Sequence, residues 1–156
     1  IDTSGAVPYK AIEKVLPFAD LFLYDIKIMD PAKHKKYCKK DNKEILENLE
    51  KLSETGKTIW IRTPIIPGAT DTLENIRSIA AFLRDRSIRF SRWELCAFNN
   101  LCKSKYLRLG IDWVYKDKQL IRKQDIDGLL EAAKKEYDDP GAKIIATGIL
   151  KTEEKQ

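Results

Sequence analysis

Asp25, Lys27 and Arg62 are the residues of this chain whose types and spacing most directly suggest joint chemistry. Leu21-Phe22-Leu23-Tyr24 reads as a buried strand, yet it runs into Asp25-Ile26-Lys27. Thr58-Ile59-Trp60-Ile61 runs into Arg62 and then Thr63-Pro64-Ile65-Ile66-Pro67-Gly68. Trp93-Glu94-Leu95-Cys96 runs into Ala97-Phe98-Asn99-Asn100. Charges are costly to bury unpaired, and in parallel α/β folds the carboxyl ends of the strands form the ligand-binding face. The pattern reads as one polar site collected from successive strand ends. Side chains alternate across a strand, so Leu21, Leu23, Asp25 and Lys27 share one face, and Trp60 and Arg62 share a face on the next strand. One carboxylate and two cations suit an amphoteric ligand such as an amino acid. An internal salt-bridge cluster, for instance Asp25 with Arg62, explains the same charges equally well.

Other polar residues carry less. Asp2-Thr3-Ser4-Gly5 offers a carboxylate and two hydroxyls, which a helix-capping turn also explains. His34 lies among lysines in a short helix and reads as a solvated surface residue. Glu94, inside a strand, is expected to pair with Arg62 or another cation rather than to act as an acid. Cys38, Cys96 and Cys102 have no framework spacing and suit a reducing compartment, so the expected location is cytoplasmic. Cys96 and Cys102 read as a buried thiol and a loop thiol. There is no Gly-rich phosphate loop, nucleophile elbow or zinc motif.

The elements that position these residues alternate. A short helix over Pro8 to Leu16 precedes a strand over Leu21 to Ile28, whose continuous apolar start suits cover on both faces. Asp30-Pro31 marks an N-cap and first helical position for a helix to Tyr37. Asp41 and Glu44 have capping-box spacing before a helix that stops at Gly56. A strand over Thr58 to Thr63 follows, then a helix opened by Asp71 and Glu74 and ending near Asp85. A strand over Phe90 to Ala97, a short helix near Ser104 to Leu109, a helix from Gln124 to Tyr137 and a strand over Lys143 to Thr147 complete the order. Alternating strands and helices call for right-handed βαβ units and a parallel sheet. The expected domain spans residues 1–150, with 151–156 as a tail.

The chain has 156 residues, enough for one domain or part of a larger one, and its 43% hydrophobic content is enough for a core. No run of about 18 uncharged apolar residues exists, so no membrane helix is expected. Net charge is +5, from 29 basic and 24 acidic residues. The basic residues are dispersed and read as a solvated surface rather than a nucleic-acid footprint. The single Met is Met29 and residue 1 is Ile, so the chain is expected to be a piece of a longer protein.

Several segments occur in a familiar order. They are Asp2-Thr3-Ser4-Gly5, the D-x-K element Asp25-Ile26-Lys27 with Met29-Asp30-Pro31, and the I-R-x-P-x-I-P-G element Ile61 to Gly68. Glu94 to Leu101 follows, before Ser104-Lys105-Tyr106 and Leu109-Gly110. Over roughly the first 110 residues the series resembles the later half of a glycyl-radical enzyme activating enzyme. These belong to the radical S-adenosylmethionine (radical SAM) family that includes pyruvate formate-lyase activating enzyme.

The resemblance implies an α/β fold, a partial TIM-like barrel of parallel strands of which this is the later half only. It implies a [4Fe-4S] cluster that binds S-adenosylmethionine (SAM) and cleaves it reductively, yielding a 5′-deoxyadenosyl radical that takes a hydrogen from a backbone glycine of a partner enzyme. It implies a reductant such as flavodoxin or ferredoxin, with no nucleic acid and no membrane as partner. By position, Lys27 resembles the lysine that meets the SAM carboxylate and Arg62 the arginine of that pocket. Asp2, Thr3 and Asp25 resemble ligands of a monovalent cation beside it, and Asn99 stands where several relatives have a His near the ribose. The C-x-x-x-C-x-x-C cluster motif is absent, and the three cysteines cannot supply that spacing. The 156 residues alone are therefore expected to be inactive. An activase of anaerobic ribonucleotide reductase and a non-catalytic binding or scaffold domain are the alternatives.

Overall fold

Five parallel strands follow one another across a single sheet in chain order, which places every connecting helix on the same side. In the computed structural model, which describes residues 1–151, the strands are β1 (Asp2–Thr3), β2 (Leu21–Asp25), β3 (Thr58–Ile65), β4 (Arg92–Ala97) and β5 (Ile144–Thr147). The helices are α1 (Tyr9–Val15), α2 (Pro31–Cys38), α3 (Lys43–Ser53), α4 (Leu73–Asp85), α5 (Lys103–Arg108) and α6 (Lys123–Tyr137). A 3₁₀ turn over Leu16–Phe18 follows α1. Right-handed crossovers between sequential neighbours carry each helix to one face. A doubly wound sheet reverses its strand order to cover both faces, and this one does not. It is a partial barrel wall, as the resemblance implies.

Period-two alternation separates the two faces. Phe22, Tyr24, Ile59, Ile61, Ile65, Trp93 and Leu95 are all fully buried against the helices. Each large apolar side chain there contributes about 1.5–3 kcal/mol. Their neighbours along the strands, Leu23, Trp60, Arg62, Arg92, Glu94 and Cys96, are only half-buried and form the other face. The helices bury matching stripes: Ile45, Leu49 and Leu52 from α3, Ile76, Ile79 and Leu83 from α4, and Ile126, Leu129 and Ala133 from α6. Trp93 Nε1 donates to Thr63 Oγ1 at 3.0 Å, so the largest core ring keeps its polar atom paired.

Some local expectations change. The strand from Leu21 ends at Asp25, not Ile28, because two asparagines take over the backbone groups beyond it. Asp30 caps α2 as expected, accepting from Lys33 N–H at 2.7 Å. The caps of α3 and α4 are Asn42 and Thr72 rather than Asp41 and Asp71. Asp71 instead accepts from Gly68 N–H at 2.9 Å and shapes the preceding loop. His34 is buried, not solvated: its ring turns inward and Nδ1 donates to the Lys40 carbonyl at 2.6 Å. Of the expected tail, only Lys151 lies within the described residues. Its N–H donates to the Ile121 carbonyl at 2.9 Å.

Candidate functional site

Parallel register brings the charged strand ends together. Asp25 of β2 is the cross-strand neighbour of Arg62 of β3, and Arg62 is the neighbour of Glu94 of β4. Asp2 of β1 stands beside Leu23, one position back on the same face. Arg62 Nε donates to Asp25 Oδ1 at 3.1 Å, and its terminal nitrogen reaches the same oxygen at 3.0 Å. That terminal nitrogen also donates to Asp2 Oδ1. Lys27 Nζ donates to the other Asp25 oxygen, Oδ2, at 3.0 Å. Two carboxylates and two cations thus form one neutral chain of contacts on the open face. Burial alone pulls the Arg62 guanidinium pKa down, but the charges and hydrogen bonds of Asp25 and Asp2 outweigh it and hold it above its ordinary value.

Both readings of the charge pattern meet here. The ion pairs that an internal cluster requires are present. Lys27 and Arg62 nevertheless remain partly exposed, at 31% and 23% of their side chains, and lie on the same side of the sheet. An ammonium and a guanidinium flanking one carboxylate can receive a second carboxylate, and Asp25 and Asp2 can receive an ammonium. The arrangement can hold a zwitterion by its two charged ends.

One row deeper, Arg92 lies over the Trp60 ring at 3.8 Å, its cross-strand neighbour. Glu94 takes its cation from its own strand, Arg92, at 2.9 Å. It does not pair with Arg62, whose guanidinium is already held by Asp25 and Asp2. One row beyond, burial pushes the Cys96 thiol pKa up, so Cys96 is a neutral thiol on this face.

Thr3 and Asn99 are used locally. Thr3 stands in the row of buried Tyr24, facing away from Asp2, and its hydroxyl accepts from Gly5 N–H at 3.0 Å. Asn99 lies just past β4, where its side-chain oxygen accepts from Leu101 N–H at 3.2 Å. Among the described residues, no cluster of three or more His, Cys, Asp or Glu side chains could hold a metal ion.

Two buried asparagines fix the Lys27–Met29 segment. Asn75, in the first turn of α4, accepts from Met29 N–H at 3.0 Å and donates to the Lys27 carbonyl at 2.9 Å and to the Thr70 carbonyl at 3.3 Å. Asn42 donates to the carbonyls of Ile28 and Met29 at 2.9 and 2.7 Å. Asn75 therefore ties the Lys27 backbone to the Pro67–Thr70 loop. Sequence reasoning missed both residues. The available signal was an Asn at a helix start where Ser, Thr or Asp would cap equally well.

No protein-family model matches the chain. It is 39% identical over 124 residues to the (2S)-3-sulfopropanediol dehydratase activating enzyme of Klebsiella oxytoca, covering 79% of this chain and 39% of that one. It is 40% identical over 118 residues to the trans-4-hydroxy-L-proline dehydratase activating enzyme of Clostridioides difficile, covering 74% of this chain and 37% of that one. The chain thus spans well under half the length of these curated relatives. A crystal structure of a domain of pyruvate-formate lyase-activating enzyme from Bacteroides vulgatus superposes with a TM-score of 0.73 at 22% identity, covering 94% of this chain and 79% of that one. That likeness establishes the partial-barrel fold.

Proposed function

We infer the function from homology: the chain is homologous to glycyl-radical enzyme activating enzymes, and we propose that it is part of such an activase, a radical SAM oxidoreductase. Residues 1–150 are read as the later part of its barrel and 151–156 as a tail. The observation that carries the reading is the Lys27–Asp25–Arg62 cluster on the open sheet face. Its donor set fits the methionine end of SAM, with Lys27 and Arg62 binding the carboxylate and Asp25 orienting both cations. Asn99, on the next strand end, has the hydrogen-bonding capacity for a ribose hydroxyl. When bound, a [4Fe-4S] cluster supplies the electron that cleaves SAM, and the reaction ends with a glycyl radical on the partner enzyme.

The three cysteines do not fit cluster ligation, and in this reading the thiolates come from outside these 156 residues. A monovalent cation fits poorly. Asp2 and Asp25 are both turned to Arg62, and Thr3 faces the other way. A cytoplasmic location and a flavodoxin- or ferredoxin-type reductant belong to the same proposal. No helix among the described residues is long and apolar enough to cross a membrane. The paired state of Lys27 and Arg62 favours a second reading, a non-catalytic domain whose charges serve only one another.

Calorimetric titration of SAM into the full-length, cluster-loaded protein that carries this chain separates the two readings. The activase reading expects binding that weakens about tenfold or more in Lys27→Ala and in Arg62→Ala, the loss of a charged hydrogen bond. Binding unaffected by either change, or no binding at all, overturns it.

A further inference from the structure

The backbone ladder between β2 and β3 stops one residue short of Lys27. Its last bond among the described residues runs from the Ile26 N–H to the Arg62 carbonyl at 2.9 Å. In a parallel ladder the next donor would be residue 64 of β3, and Pro64 has no N–H. Lys27 therefore lies beyond the bonds that register Asp25 against Arg62. Ile26 and Ile28 are both buried and decide which side of the sheet Lys27 takes. They do not set its spacing from Arg62. The ion pair with Asp25 does so only weakly, because both side chains are partly in water.

A side-chain relay takes over from the ladder. Asn75 Nδ2 donates to the Lys27 carbonyl at 2.9 Å and to the Thr70 carbonyl at 3.3 Å, while Oδ1 accepts from the Met29 N–H at 3.0 Å. Thr70 is buried in turn. Its hydroxyl accepts from the Ile66 N–H at 2.7 Å and donates to the Pro64 carbonyl. Pro64 stands two residues past Arg62 on the same strand. One amide and one hydroxyl thus link the Lys27 backbone to the strand that carries Arg62. A carboxylate has no proton to donate and a hydroxyl has one, so among short polar side chains only Asn makes all three bonds.

We propose that Asn75 is a positioning residue for SAM binding. By tying the Lys27 backbone to the loop after β3, it holds the ammonium at the spacing from Arg62 that lets both cations meet one carboxylate. Asn75 touches neither the cofactor nor the reacting atoms in this role; it acts through Lys27. The proposal rests on the reading of Lys27 and Arg62 as the carboxylate site and adds a residue to it.

Calorimetric titration of SAM into the full-length, cluster-loaded protein tests it. Asn75→Ala should weaken binding about fivefold or more, because a freed segment must be ordered again at each binding event. The same change made in Lys27→Ala should alter affinity by less than about twofold, since the group it positions is gone. An Asn75 that served only folding would weaken both backgrounds alike. Thermal melting checks that each variant is folded. Where Asn75→Ala is not, Asn75→Asp keeps the shape and the acceptor for Met29, loses both donations and carries the same expectation. Full affinity in the Asn75 variant, or an equal loss with and without Lys27, overturns the proposal and leaves the SAM site standing. Binding that Lys27→Ala does not weaken overturns the SAM site itself and this proposal with it.

Discussion

Asp25 and Arg62 face each other in register across β2 and β3, and Asp25 Oδ1 receives two guanidinium nitrogens while its Oδ2 receives Lys27. One carboxylate thereby holds two cations on the open face. Asp25→Asn removes the shared counter-charge and leaves Lys27 and Arg62 repelling one another. The expected loss is about 1–2 kcal/mol, kept small because all three side chains are partly in water. Urea midpoints measure it, and Asp25→Asn/Arg62→Met should be less destabilised than Asp25→Asn alone.

Asn75 should matter more than its place at a helix start suggests. Asn75→Ala leaves a part-buried carbonyl at Lys27 and a part-buried N–H at Met29 without their partner, at a cost of about 1–2 kcal/mol. Amide exchange at Met29 should accelerate in the variant. Asn75→Asp keeps the shape but turns a carboxylate toward two carbonyls, which raises the folded pKa of that new acid above its unfolded value. Its protonated form is then favoured in the fold, so the penalty present at neutral pH should be relieved as pH falls. Urea midpoints that do not move with pH would contradict this account of Asn75.

What was legible in the sequence followed from period two. Leu23 and Trp60 predict which face Asp25 and Arg62 take, and Phe22 and Ile61 predict which face meets the helices. The alternating order of elements predicts a parallel sheet. What was not legible depends on tertiary neighbours. The role of Asn75 depends on where the Lys27 carbonyl ends up, 48 residues away in sequence. His34 is buried among lysines because its ring finds the Lys40 carbonyl. Glu94 pairs with Arg92 because Arg62 is already taken by two carboxylates, a competition that strand patterning alone does not rank.

Tyr24 should give the fold an alkaline limit. Its hydroxyl is buried and donates to the Ile45 carbonyl at 2.7 Å. Burial, helped by the charge of Glu44, pushes its pKa well above the ordinary phenol value. Below an unfolded pKa of about 10 the ring is neutral in both states and stability is full. Above it only the unfolded chain ionises, and stability falls as pH rises. Tyr24→Phe should cost about 1 kcal/mol at neutral pH and flatten the alkaline slope. Urea midpoints across that range test both halves.

Gly5 and Gly68 both have positive φ, +67° and +76°, but only one is crowded. A Cβ on Gly5 would lie 1.7 Å from the Tyr24 hydroxyl oxygen, whereas one on Gly68 meets nothing within 4 Å. Gly68→Ala should cost about 1 kcal/mol, the backbone penalty alone. Gly5→Ala should cost about 2–4 kcal/mol, because Tyr24 is held by Ile45 and cannot yield. Adding Tyr24→Phe should recover part of that loss, a non-additivity expected of residues in contact.

Iron–sulfur reconstitution of these 156 residues under anaerobic conditions should leave the protein colourless. Cys38 and Cys96 have pKa values raised by burial, and Cys102 sits apart at the start of α5. Cluster iron needs thiolates grouped around one point. Stable visible charge-transfer absorption together with release of 5′-deoxyadenosine would show that the cysteines do assemble a site.

The strict neighbour-to-neighbour strand order also bears on how the chain reaches its fold. Among the described residues no strand is inserted between two earlier ones, so a sheet growing in chain order never has to reopen to admit a later arrival. Each helix–strand unit closes only a loop to the strand just before it, and the entropy of closure grows slowly with such modest lengths. During synthesis, β2 could pair with β1, and β3 with β2, as each left the ribosome. The molecule can be built by accretion.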